Sequence, residues 1–316
     1  MTHPAGTSSP RRFLLALLAV PLLLTAACGG GFNSSGGGGG TVVIVGQKFT
    51  EADIMTQLYK QLLDHAGFQT DVKNLGTRDV YLTPLEKGQV MVSADYLSSM
   101  TDALNKEVHG ENAPSVASPD TAATLSKLKQ LGSKVGITPL EPAKAEDANA
   151  YAVTKQFASQ HHLSTLSDLG KLGQPVALAA ASDCPQRSDC QLGLEKVYGI
   201  KISKVEPLGF DSPETKSALS KGEVQLGQVA TTDATLAGLG LVILKDDKNW
   251  QNAENLVPVV NSKWLKANPK AADALDKLSG VLTTKDLMTM NAKVDAQRMQ
   301  ASVVARDYLK QKGLLG

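Results

Sequence analysis

Val42-Val43-Ile44-Val45 is a run of β-branched and aliphatic residues with no polar position, which reads as a short strand buried on both faces. Gly46 to Phe49 then turns the chain, and Thr50 with Asp53 three positions on forms a capping pattern for a helix. Ile54, Leu58 and Leu62 recur at helical spacing until Gly67 stops the run. Gln69 to Lys73 alternates as a second strand, Thr77 to Lys87 reads as a helix ending at Gly88, and Val90 to Val92 as a third strand. Strand–helix–strand–helix–strand predicts a parallel sheet covered by helices.

The same order returns downstream. Val176 to Ala180 is apolar, Leu192 to Tyr198 is helical and stops at Gly199, and Ile202 to Val205 is strand-like. Ser212-Pro213-Glu214 starts a helix, with a capping serine and Pro at the first helical position. It ends at Gly222, before a strand from Val224 to Val229. The two stretches share words: Leu85-Glu86-Lys87-Gly88-Gln89-Val90 and Leu219-Ser220-Lys221-Gly222-Glu223-Val224. Matching order and matching words predict two α/β lobes of similar plan. From Ala271 onward only helical stripes remain (Leu275, Leu278 and Leu282, then Val303, Tyr308 and Leu309), which predicts a helical tail that packs back on the first lobe.

The N-terminus places the protein outside the cytoplasm. Arg11-Arg12, an apolar run from Phe13 to Leu24 and small residues before Cys28 make an export signal over residues 1–27. That run is shorter than the roughly 20 apolar residues a spanning helix needs. Leu24-Thr25-Ala26-Ala27-Cys28 resembles a bacterial lipobox, with Thr25 where Leu is usual; Cys28 is then the lipid anchor. Plain secretion with an incidental Cys28 is the competing reading. Residues 28–40 are mostly Gly and Ser and read as a flexible tether. Roughly 275 residues follow, enough for one large domain or two lobes.

Composition narrows the function. The formal charge is +1, falling to about −1 without Arg11 and Arg12, and no basic cluster occurs, which excludes a nucleic-acid partner. Cys184 and Cys190 can pair in an oxidising compartment; a metal pair is the rival, although His162 is the nearest histidine. No phosphate loop, His-Glu-x-x-His or Gly-x-Ser-x-Gly occurs, so the reading is a binding module without cofactor or resident metal, not an enzyme. His161-His162 reads as polar surface, Asp95 and Asp102 as solvated loop acids, Trp250 as a ring that could stack on a ligand and Trp264 as helix packing.

Several segments, in order, resemble the substrate-binding proteins of osmoprotectant importers, the ProX/OpuC type that binds glycine betaine, choline or carnitine. They are Val45-Gly46-Gln47-Lys48-Phe49-Thr50-Glu51, Val72-Lys73-Asn74-Leu75-Gly76, Asn149-Ala150-Tyr151-Ala152-Val153, Arg187-Ser188-Asp189, and Thr231-Thr232-Asp233 followed by Leu244-Lys245-Asp246-Asp247. The resemblance implies a two-lobed, periplasmic-binding-protein-like fold of type II, each lobe a sheet flanked by helices, with two crossovers forming a hinge. Lobe 1 is then 41–147 plus 257–316 and lobe 2 is 148–256. A monomer is expected, held by its lipid on the outer face of the cytoplasmic membrane and delivering solute to ABC permease subunits.

In that family tyrosines box the ligand's quaternary ammonium, which has no N–H to donate and is held over ring faces. Aromatic residues are only 4% of this chain, and the corresponding positions fall on Ala230, on Ala145 or a neighbour, near Lys216 and near Glu254. Tyr96 alone remains, as a flat wall. The expected ligand set is Gln47, Lys48, Asn74, Tyr96, Asn149, Lys216, Thr231, Thr232, Asp233 and Glu254. Such donors and acceptors suit a hydroxylated or aromatic small molecule better than betaine or choline. A sensory or scaffolding lipoprotein with the same shell is the alternative.

Overall fold

A computed structural model describes residues 40–316 apart from Gly76. The expected leader, the expected anchor at Cys28 and the expected tether short of Gly40 lie outside the described residues. The chain opens as β1 (Val42–Gly46), α1 (Thr50–His65), β2 (Thr70–Asn74), α2 (Arg78–Glu86) and β3 (Val92–Tyr96). Then come α3 (Leu97–His109), α4 (Thr121–Val135) and β4 (Ile137–Pro139). A second series runs β5 (Asn149–Thr154), α5 (Lys155–His161), α6 (Leu166–Leu172), β6 (Val176–Ala179), α7 (Gln191–Tyr198), β7 (Ile202–Glu206), α8 (Pro213–Ser220), β8 (Leu226–Ala230) and β9 (Leu241–Leu244). The chain returns through β10 (Leu256–Asn261), α9 (Ser262–Ala267), α10 (Lys270–Ser279), α11 (Thr284–Asp295) and α12 (Ala301–Gln311).

Two five-stranded sheets result, β2-β1-β3-β10-β4 and β7-β6-β8-β5-β9, each with helices against it. They share one plan. Three strands run parallel, and a strand from the other end of the series, β10 or β5, then enters antiparallel. The sheets are therefore mixed, not the parallel sheets expected, because each antiparallel strand arrives by one of the two crossovers, β4 to β5 and β9 to β10. The crossovers run alongside each other: Asp147 donates its backbone N–H to Glu254 O (3.0 Å), and Leu256 donates to Ala145 O (3.0 Å). The shared Lys-Gly words sit at equivalent places, between α2 and β3 and between α8 and β8, with Gly88 and Gly222 both at positive φ.

Helices α10, α11 and α12 bury Leu275, Leu287, Val304 and Leu309 in one core with β1 and α1, so the tail does return to the first sheet. Ser212 caps α8 as expected, accepting from Thr215 N at 3.0 Å. Thr50 does not cap α1. It is the first helical residue, its hydroxyl donates to Asp295 on α11 (2.7 Å), and Asp53 instead accepts from Asn74 (2.9 Å). The third strand is displaced to Val92–Tyr96, where Ser93 and Asp95 are buried. Asp95 is 2% exposed, not a solvated loop acid, because Arg78 and Tyr81 supply its hydrogen bonds inside the protein. Asp102 anchors a loop through Ser115 Oγ (2.6 Å) and the backbone N–H groups of Val116 and Ala117.

Candidate functional site

Parallel strands in α/β sheets deliver side chains to a crevice beyond their C-terminal ends. Here a cleft of 680 Å³ opens between the two sheets, beside the crossovers. From the first sheet's half come Arg78 at the start of α2 and Ser98 and Ser99 in the first turn of α3. Asn149, Arg187, Asp189 and Phe210 come from the second, and Asp147, Asn252 and Glu254 from the crossovers.

Two arginines face the cleft from opposite sides, each set by an aspartate. Arg78 donates through Nε (3.0 Å) and Nη2 (2.6 Å) to Asp95 Oδ1, and Asp95 also accepts from Tyr81 Oη (2.8 Å) and the N–H of Tyr96 (2.8 Å). Arg187 grips Asp189 through Nε (2.9 Å) and Nη2, and Asn149 Nδ2 donates to the same carboxylate (3.1 Å). The Arg187 loop is stapled by the Cys184–Cys190 disulfide (S–S 2.01 Å), which resolves the choice between disulfide and metal pair. Trp250 reinforces it. Its ring packs between Tyr151 (6.1 Å) and Tyr198 (6.0 Å), and Nε1 donates to Ser188 O (3.2 Å), so Trp250 serves the second core. Trp264 packs on Phe68 at 5.6 Å.

Two cleft carboxyls are poorly ionised. Burial pushes Glu254 up to about 7, although Ser99 donates to it through Oγ (2.6 Å) and N (3.2 Å). Burial and then the charge of Glu51 push Asp147 up to about 8. Near neutral pH both can donate as well as accept. One ring lines the cleft: Phe210, 44% exposed, on a turn held by Ser212 Oγ to Leu208 O (2.6 Å) and Thr215 Oγ1 to Gly209 O (2.6 Å).

Of the ten residues expected around a ligand, Asn149 and Glu254 line this cleft. Gln47 and exposed Lys48 form the turn between β1 and α1. Asn74 is occupied by Asp53 (2.9 Å) and Thr56 (3.3 Å). Tyr96 is buried, stacked on Phe49 at 6.2 Å, with its hydroxyl on Glu51 (2.8 Å). Thr231 ties β8 to the first crossover, accepting from Ala148 N (3.0 Å), while Thr232 Oγ1 donates to Asp147 (2.8 Å). Lys216 pairs with Asp233 (2.7 Å) and, at 3.6 Å, Asp211. Ala145 is fully buried in the first core and Ala230 ends β8.

Sequence reasoning missed Arg78, Ser99, Asp147 and Phe210 as lining residues. Arg78 follows the second strand, a position that could have found it, and Phe210 is a lone aromatic in a Gly-Phe-Asp-Ser-Pro turn. Among the described residues no cluster of three or more His, Cys, Asp or Glu is placed to hold a metal ion. No described helix is long and apolar enough to cross a membrane.

Comparison with known proteins agrees with this architecture. The family model of the substrate binding domain of ABC-type glycine betaine transport systems matches residues 40–311. The glycine betaine-binding protein YehZ of Escherichia coli K12 is 28% identical over 280 residues, covering 85% of this chain and 90% of that protein. A glycine-betaine-binding protein of Pseudomonas aeruginosa PAO1 is 27% identical, covering 86% and 88%. The crystal structure of a glycine betaine/carnitine/choline ABC transporter superposes with a TM-score of 0.76 at 23% identity, covering 87% of this chain and 100% of that one, so the type II two-sheet fold is shared.

Proposed function

Because the chain belongs to the family of substrate-binding domains of ABC-type glycine betaine transport systems, we propose that it captures a small polar solute outside the cell and delivers it to the permease of an ABC importer. Its two lobes, 41–147 with 257–316 and 148–256, close on the solute about the paired crossovers, a hinge motion that a permease can read as loaded. Cys28 carries the lipid that holds the protein at the outer face of the cytoplasmic membrane. Replacing it, Cys28→Ser, is expected to move the protein from the membrane fraction to the soluble fraction; a variant that stays with the membrane overturns the anchor.

The solute is a hydroxylated or aromatic molecule and not a quaternary amine. The lining of the cleft carries this reading: hydrogen-bonding groups surround a single ring, Phe210. The resemblance sets two of the family's tyrosines near Lys216 and near Glu254, where this chain has the Lys216–Asp233 ion pair and the Glu254–Ser99 hydrogen bonds. Each ring face over a trimethylammonium contributes about 0.5–2 kcal/mol, so three or four missing faces remove roughly 2–8 kcal/mol, enough to abolish micromolar binding. Asn149, Ser99 and the weakly ionised Glu254 and Asp147 suit hydroxyl groups, which both donate and accept. Titration calorimetry with glycine betaine and with choline is expected to give no micromolar binding; a micromolar Kd for either overturns the ligand assignment. Mass spectrometry of what copurifies with the protein then identifies the solute.

A further inference from the structure

Charge is divided unevenly along the chain. From Ser262 to Gly316, the four tail helices and their turns hold ten Lys and Arg against five Asp and Glu, a net of +5. Residues 41–261 hold 20 against 26, a net of −6. A basic tail thus sits on an acidic body, a division that solute capture does not use.

Part of this basic surface gathers at one junction. Asn261, 4% exposed at the end of β10, joins the ends of three helices. Its Nδ2 donates to Leu85 O (2.9 Å) and Glu86 O (3.1 Å) at the end of α2, and its Oδ1 accepts from Trp264 N in α9 (3.0 Å). Ser262, the next residue, donates its N–H to Gly136 O just beyond α4 (2.9 Å). Lys87, Lys134, Lys263, Lys266 and Lys270 are exposed at or next to these helix ends, and among the described residues none of them makes an ion pair. Glu86, close to Glu107, offsets Lys87, so the surplus rests on Lys134, Lys263, Lys266 and Lys270.

The chain enters the fold at the same edge. Val42 donates its N–H to Gln69 O (2.8 Å), and Phe68 packs on Trp264 (5.6 Å). Val43 O accepts from Met91 N (3.0 Å), whose carbonyl accepts from Asn261 N (2.9 Å). The start of β1 therefore lies beside α9. Twelve residues separate Cys28 from Thr41 and reach at most about 45 Å fully extended, so a lipid on Cys28 keeps this edge within that distance of its bilayer. The cleft lies beyond the opposite, C-terminal ends of β1 and β3, so the lysine edge can rest on a surface without covering it.

We propose that this lysine edge of lobe 1 docks on the anionic phospholipid headgroups of the membrane that carries the protein. Such docking rests on the lipid anchor of the capture reading, and adds to it the orientation in which the anchored protein stands. Ammonium groups donate to phosphodiester oxygens, and each lysine near an anionic surface strengthens binding about fivefold.

Residues 29–316 hold both sheets and carry no lipid that would bind vesicles by itself. They are sedimented with vesicles of phosphatidylcholine containing one-third phosphatidylglycerol, and with vesicles of phosphatidylcholine alone. Retention on the phosphatidylglycerol vesicles only is expected at low salt, with release at high salt. The variant Lys263→Gln/Lys266→Gln/Lys270→Gln is expected to bind at least tenfold more weakly. Should circular dichroism show that it does not fold, Lys87→Gln/Lys134→Gln is expected to weaken binding about fivefold or more. Equal retention on both kinds of vesicle, or a folded variant that binds as tightly as the wild type, overturns the docking. Retention on neither also overturns it, and leaves the edge free for a protein partner. The anchor and solute capture stand in each of these cases, since fractionation of Cys28→Ser and calorimetry judge them separately.

Discussion

Asp95 shows how much of a side chain's role depends on partners far along the chain. It lies in β3, 17 positions from Arg78, and accepts both Nε and Nη2 of that guanidinium. A bidentate pair fixes the plane of the guanidinium as well as its position, so Asp95 orients Arg78 at the edge of the cleft. Removing one member of such a buried pair strands the other without a counter-charge, at a typical cost of about 3–5 kcal/mol. Asp95→Ala is therefore expected to lower unfolding free energy by about that amount in a denaturant titration. A loss below about 1 kcal/mol, the range of an exposed ion pair, rejects the orienting role. Read as sequence, Ala94-Asp95-Tyr96 is an acid beside an aromatic. Nothing local says that the acid is buried, because the arginine that makes burial tolerable sits on another element.

Elements whose signals are local were legible and those that rest on distant partners were not. Helix α8 declares itself, since the Ser212 cap, Pro213 at the first helical position and Gly222 beyond the end all act within a few residues. Strand β1 is visible because every residue in its core is apolar. Strand β3 was placed too early because Ser93 and Asp95 break its apolar run, yet both are buried. Strand β10 escaped notice for another reason: Pro258 stands in its middle, although its carbonyl still accepts from Leu140 N at 2.9 Å. The cleft was the hardest to read. Family-like segments pointed to Asn149 and Glu254, but Arg78 and Phe210 enter the site through turn geometry and packing, which no periodicity records.

The arrangement of the sheets places carboxyl groups where water is scarce, and this fixes how stability should vary with pH. Burial raises Asp147 to about 8 and Asp211 and Glu254 to about 7, and it raises Glu51 as well. In the unfolded chain these groups ionise near pH 4. Between about 4 and 8 the native state consequently binds more protons than the unfolded state, so stability falls as pH rises. Carboxylates stabilised by hydrogen bonds act in the opposite sense: Asp168, lowered to about 2 by Ser164 and Thr165, supports the fold above pH 4 and loses that effect only in stronger acid. The two sets together place maximum stability at about pH 4. One fully buried group contributes a slope of at most about 1.4 kcal/mol per pH unit, and partial exposure of Asp211 weakens its share. Denaturant unfolding followed by the fluorescence of Trp250 and Trp264 is expected to show a decline of about 1–2 kcal/mol per pH unit between pH 5 and 7. The decline should flatten above about pH 9, once Asp147, raised to about 8, is ionised in both states. A stability that holds level or climbs from pH 5 to 8 means the carboxyls are hydrated in solution, and the crossovers are then not packed as tightly as these hydrogen bonds require.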